Sequence, residues 1–284
     1  FQAEDGIRDS VASRGLGDVY KRQGISIAGD ITSNKDGSAG AIALTGPVTL
    51  TGDVIVTADD HADSTITFNS TSTVNASSSG GQSLTIDTDG GAIAMQGAIG
   101  GSTALSALTI NADGAGTIEV ANIGASGVGV SGATAIGNTN TATLTLDGTV
   151  YKTTGSQTYT ATSGGTGNNI VIGTATNPVA FNTTNTNVAF NTSDVVLRDG
   201  ADLTVDTDSG NNGTITFGGA IHGTAGNAVT DITSLDGGGA AVTVNAIDTD
   251  IEDISITGPT TCLLYTSDAA DDLLCVDLGG RRII

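Results

Sequence analysis

From Gly24 onward the chain repeats one short phrase, aliphatic residues alternating with Thr, Asp or Asn and closed by a glycine-containing turn. Leu84-Thr85-Ile86-Asp87, Leu108-Thr109-Ile110-Asn111, Leu144-Thr145-Leu146-Asp147, Leu203-Thr204-Val205-Asp206 and Val242-Thr243-Val244-Asn245 are versions of it. A period of two puts the aliphatics on one face of a strand and the polar groups on the other. Each strand must therefore bury one face, and helical periodicity is absent throughout. The step from Leu84 to Leu108 is 24 residues, within the range that marks stacked repeat architectures.

A longer repeat is also present. Residues 84–101 and 203–223 share the order LT-aliphatic-DTD, a glycine-containing bend, a second strand and a Gly-Ala pair before an isoleucine. The copies are offset by 119 residues, and the second carries three extra residues in the turn between Ser209 and Gly213. Strand, turn, strand, corner is the unit this implies.

The fold expected is all-β, a right-handed parallel β-helix in which coils stack about 4.8 Å apart. One coil cannot bury its own aliphatic face, so stability comes from the neighbouring coils. Tandem β-sandwich modules are the alternative, because short alternating strands look alike in both. The β-helix requires Leu84, Leu108 and Leu203 to stack in register on neighbouring coils; separate hairpin-built modules would not achieve this.

Composition narrows the interior and the partners. Aromatics make up 3% of 284 residues and Trp is absent, so the core must come mainly from Val, Ile, Leu, Ala and Thr. The 42 glycines suit corners where a positive φ would strain a side chain. Six of nine bases lie before residue 24 or after residue 261, leaving Lys35, Lys152 and Arg198 between. Eight of 30 acids lie at those ends, so residues 24–261 hold 22 acids against three bases, a net charge of −19. Such a surface repels nucleic acid and anionic membrane, so both are poor candidate partners and no nucleic acid is expected among them. No membrane insertion is expected within this stretch.

The ends differ from the body. Residues 1–23 and 262–284 carry both cysteines, Cys262 and Cys275, and two of four tyrosines. Each segment resembles translated sequencing-adapter read-through, which implies that neither belongs to the fold. Three regions follow: 1–23 and 262–284 as non-native flanks, and 24–261 as the repeat.

Candidate chemistry is sparse. His61 and His222 stand alone in sequence beside turns, and the cations are far apart. No nucleophile elbow, His-Glu-x-x-His or phosphate loop is present. Asp87 with Asp89, or Asp206 with Asp208, have the chemistry of an acid/base pair, but Asp at strand ends is the usual residue of solvated turns. No catalytic residue is assigned. Calcium is the better non-catalytic candidate: Asp206, Asp208, Asp248, Asp250, Glu252 and Asp253 cluster oxygen ligands, and Ca²⁺ needs 6 to 8 of them. Their spacing fits neither an EF-hand nor the RTX nonapeptide. No other cofactor is called for.

The segments Gly91 to Ile118, Gly148 to Ala161 and Thr214 to Gly226 resemble the β-strand repeats of large bacterial surface adhesins and filamentous haemagglutinin-like exoproteins. The resemblance implies a secreted β-helical stalk at the bacterial cell surface, exported by autotransporter or two-partner secretion. Its partner would be a glycan or protein on a host or neighbouring cell, with self-association as a further contact. A calcium-binding surface-layer or biofilm matrix component, and a β-helical polysaccharide lyase or hydrolase, are the alternative functions.

Overall fold

The computed structural model describes residues 24–34, 40–59, 64–162, 170–173, 178–191, 193–198, 200–207, 213–223, 232–247, 251 and 253–265. Among them are strands throughout and no helix. The strands form three parallel ladders. The first runs through β1 (Ile25–Ile27), β4 (Val48–Leu50) and β7 (Val74–Ala76), then single bridges at Ile99 and Ile123. It resumes in β14 (Val150–Lys152), β17 (Val179–Asn182), β20 (Leu203–Asp206), β22 (Ile232–Asp236) and β24 (Asp253–Thr257).

The second ladder begins with β2 (Ile31–Asn34), β5 (Val54–Asp59), β8 (Leu84–Thr88) and β10 (Leu108–Ala112). It continues through β12 (Thr134–Ile136), β15 (Gln157–Thr160) and β18 (Val188–Asn191). The third holds β3 (Ala41–Leu44), β6 (Thr65–Phe68), β9 (Ile93–Met95) and β11 (Thr117–Val120). After them come β13 (Thr143–Leu146), β16 (Ile170–Ile172) and β19 (Val195–Leu197). Near the C-terminal end, β21 (Ile215–His222), β23 (Val242–Ile247) and β25 (Thr260–Tyr265) each bend across the second and third ladders. The chain is a β-solenoid.

The core follows the alternation. In β8 and β10, Leu84, Ile86, Leu108 and Ile110 are buried, while Thr85, Asp87, Thr109 and Asn111 are only half-buried. Leu84 pairs with Leu108 and Ile86 with Ile110, which is the 24-residue step read from the sequence. Leu203 also stacks in register, but on Val179 below and Thr233 above, in the first ladder. The 119-residue repeat is therefore out of phase by one face. Its first copy runs from second to third to first ladder, and its second copy from first to second to third. Every face asks for the same thing, a strand with aliphatics inward, so one strand phrase serves on all three.

The few aromatics are concentrated. Tyr151 stacks on Phe181 with ring centroids 4.6 Å apart; Tyr159 stacks on Phe190 at 5.2 Å, and Phe190 on Phe217 at 4.7 Å. These stacks are register partners one coil apart. Edge-to-face contacts at 5.2 to 5.3 Å join the two columns across the interior. Gln157 closes one end, fully buried: its Nε2 donates to the carbonyls of Tyr151 and Asn182, and its Oε1 accepts from the Tyr159 hydroxyl at 2.9 Å. The Tyr151 hydroxyl donates to the Val120 carbonyl at 2.8 Å. Both phenols are thus paired, as buried polar groups must be, and burial pushes their pKa values well above the ordinary tyrosine value.

Turn Asp and Asn residues have a role beyond solvation. Asp30, Asp53, Asn75, Asn122, Asn187 and Asp194 each turn a side-chain oxygen toward the next coil and accept from a backbone N–H there. Each spans 25 to 30 residues of sequence. At Asp53 the Ser83 backbone N–H, and then its hydroxyl, hold the carboxyl below its usual value. A lowered carboxylate stabilises the fold above its ordinary pKa, and that contribution fades as pH falls through the lowered one. Asn75 and Asn122 each accept from two backbone N–H groups; Asn122 does so from Thr149 N at 2.8 Å and Val150 N at 3.0 Å. Asn122→Ala is expected to cost about 1 kcal/mol in denaturant unfolding. Asn122→Asp, which keeps the acceptor, should recover most of that loss.

Candidate functional site

The calcium candidates are divided. Asp206 ends β20, with Asn182 beneath it and Asp236 above it in register. Asp236 accepts from Gly238 N at 3.0 Å, which engages one of its carboxylate oxygens. Asp253 begins β24 and pairs with Ile232, whereas Thr257 is the residue that stacks on Asp236. Asp253 thus stands four strand positions from the Asp206 column, about 13 Å along the strand. Asp208, Asp248, Asp250 and Glu252 lie outside the described residues, as does His61. Among the described residues no group of three or more His, Cys, Asp or Glu side chains could hold a metal ion.

The outer face of the third ladder carries two polar clusters. Glu119 on β11 interacts with Asp147, just past the end of β13 one coil above. Partial burial, then the charge and hydrogen bond of Asp147, raise the Glu119 pKa; the Arg198 guanidinium opposes this. Protonation of Glu119 relieves this repulsion. Because the folded state holds that proton more tightly, repulsion is relieved as pH falls through the raised pKa and is fully present above it. Glu119→Gln is therefore expected to stabilise the rod at neutral pH, by less than about 1 kcal/mol because the pair is partly solvated. The gain should shrink when the unfolding series is repeated at pH near the ordinary carboxylate range.

The second cluster is His222 with Asp194. His222 Nε2 lies 3.5 Å from Asp194 Oδ2, while Asp194 Oδ1 accepts from Ala220 N at 2.8 Å. The register from Glu119 to His222 passes through Thr145, Val171 and Val196. Four coil steps, about 19 Å, separate the two clusters, too far for one to serve the other as acid or base.

The outer face of the second ladder is different in kind. Its outward column runs in register from Ile55 through Thr85 and Thr109 to Ala135. It continues through Thr158, Ala189 and Thr216 to Thr243. No member of this column is charged, and Ile55 is 46% exposed. From β10 to β23 the adjoining outward column holds Asn111, Thr160, Asn191 and Asn245, again without charge. The first ladder by contrast presents Lys152, Asp206 and Asp236 in one column.

Sequence reasoning did not find this uncharged face or the Glu119–Asp147 pair. Both depend on which strands are stacked, and the alternation alone leaves that open. The signal for the column was present as recurring Thr between two inward aliphatics, in Leu108-Thr109-Ile110 and Val242-Thr243-Val244. Comparison with known protein families, curated proteins and solved structures finds no match to this chain.

Proposed function

We propose that the β-solenoid is a structural and adhesive stalk of a secreted bacterial surface protein, without a catalytic role. It attaches through its polar flanks to a glycan or protein on a host or neighbouring cell, or spaces a distal binding region from its own surface. The observation that carries this reading is the continuity of three parallel ladders over one unbroken hydrophobic core. A stack of coils supported at every level by its neighbours is suited to bearing load along its length. The strongly acidic body keeps rods apart from anionic membranes and favours neutral or basic partners.

The test is retention under flow of beads coated with the full chain, on films of collagen, of fibronectin and on an array of neutral and sialylated glycans. Retention above that of bare beads on at least one surface is expected. Retention equal to bare beads on all of them, or release of unsaturated sugars from polygalacturonate, would remove the reading.

Asp206 stacked beneath Asp236 favours a second reading, a calcium-stiffened matrix component. A melting temperature raised by millimolar calcium in the parent, and unchanged in Asp206→Asn, would support it.

A further inference from the structure

We infer that the uncharged outer face of the second ladder is where two copies of this chain lie side by side, in opposite directions. The inference rests on the rod geometry and is independent of what the stalk attaches to, so the bead experiment and the one below fail separately.

Charge selects the face. A body of net charge −19 repels its own copy over most of its surface, and like charges brought together at an interface weigh heavily against it. Glu119, Asp147 and Asp194 lie on or beside the third ladder, and Asp206 and Asp236 on the first. Between β10 and β23 the second ladder presents Thr, Asn, Ala and Gly alone. Two rods can approach there without burying a carboxylate; just below, Asp87 borders the column under Asn111 and would face Asn245, an amide that can donate to it. The hydroxyl both donates and accepts, so a Thr can pair with another Thr, which two carboxylates cannot do.

The pattern selects the direction. The column reads the same both ways about Thr158: Ala135 and Ala189 flank it, then Thr109 and Thr216, then Thr85 and Thr243. A two-fold axis at the level of Thr158, lying between the two faces and parallel to the strands, therefore sets Thr against Thr and Ala against Ala. That is the self-complementary interface a symmetric dimer needs. At the lower end of the same column the exposed side chain of Ile55 would be covered near the opposite rod's end.

Area sets the strength. From Ile55 to Thr243 the column rises about 34 Å and is about 13 Å wide, roughly 450 Å² in projection. A stable pair buries roughly 800 Å² per partner. The dimer is accordingly weak and reversible, with a dissociation constant on the order of 10 to 100 μM.

Sedimentation equilibrium of the full chain tests this at about 0.05 M and about 0.5 M salt. A monomer–dimer equilibrium is expected that tightens several-fold in the higher salt, because salt screens the repulsion of the acidic flanks. The combined variant Thr109→Asp, Thr158→Asp and Thr216→Asp should be monomeric at every loading concentration. Thr49→Asp with Thr67→Asp, on the other two faces, should associate like the parent. If circular dichroism shows the triple variant unfolded, Thr158→Arg alone decides, with at least tenfold weaker association expected from one bulky charge at the axis. A parent that stays monomeric to about 1 mM, ten times the weakest constant expected, overturns the inference. So does association that weakens with salt, or that survives the face substitutions.

Discussion

Phe190→Ala should lower the free energy of unfolding by about 3 to 5 kcal/mol, the loss expected when a fully buried aromatic leaves a cavity its neighbours cannot close. Phe190 is fully buried between Tyr159 below and Phe217 above, with its ring edge-on to Phe181. Removal takes away two stacked contacts and one edge contact, each worth about 0.5 to 1.5 kcal/mol beyond the area buried. The register that places these rings one over another is held by backbone ladders above and below. The surroundings therefore cannot slide inward without breaking hydrogen bonds. Phe190→Leu, which refills part of the space, should lose less than half as much. Urea titration followed by circular dichroism measures both. In a solenoid the damage spreads to nearest neighbours first, so amide exchange should rise in β15, β18 and β21 before β8 or β10. A loss below about 1 kcal/mol for Phe190→Ala would mean that the rings do not share a dry interior.

The strands were legible in the sequence because alternation is a local property. Leu84, Ile86, Leu108 and Ile110 face inward as their spacing requires, and the 24-residue step is the true coil step at that level. The 119-residue similarity is real as sequence and misleading as geometry, since Leu84 and Leu203 occupy different ladders. Coil length varies with each corner, and nothing in a strand's own residues records which ladder it joins. The same ignorance hid the aromatic block. The identical tetrapeptides Val179-Ala180-Phe181-Asn182 and Val188-Ala189-Phe190-Asn191 bring two rings together from different ladders. It also hid the Asp and Asn clasps, whose acceptors are satisfied 25 or more residues away. Of the proposed calcium ligands, Asp206 and Asp253 belong to two acidic turns that stacking of coils was expected to bring together, whereas the strand register holds them apart. Sequence alone gives corner glycines a positive φ; Gly100 has it, at +66°, but Gly91 is required for another reason.

Gly91→Ala should be among the most damaging single-atom additions in the rod, with a loss of about 3 kcal/mol or more in urea unfolding. The corner between the second and third ladders stacks Gly91 directly over Ser64. A Cβ on Gly91 would overlap the Ser64 carbonyl oxygen and carbon and stand 3.0 Å from its nitrogen. These are backbone atoms, so no rotamer change relieves the clash. The coil below is also fixed by its own bonds: Gly40 N donates to Ser64 Oγ at 3.1 Å, and Thr65 N to the Gly40 carbonyl at 2.9 Å. Lifting Gly91 instead would strain the Thr88 hydroxyl bond to the Gly91 carbonyl and the bond from Ile66 N to the Ala92 carbonyl. Either route breaks parallel pairing between coils, which is the interaction that stabilises a solenoid. Gly127→Ala provides the control, because a Cβ there meets nothing within 4 Å. It should leave stability unchanged or raise it by about 0.5 kcal/mol through the lost freedom of the unfolded chain. If the two alanines gave equal unfolding free energies, the coils could not be as closely stacked at that corner as the Ser64–Gly91 approach requires.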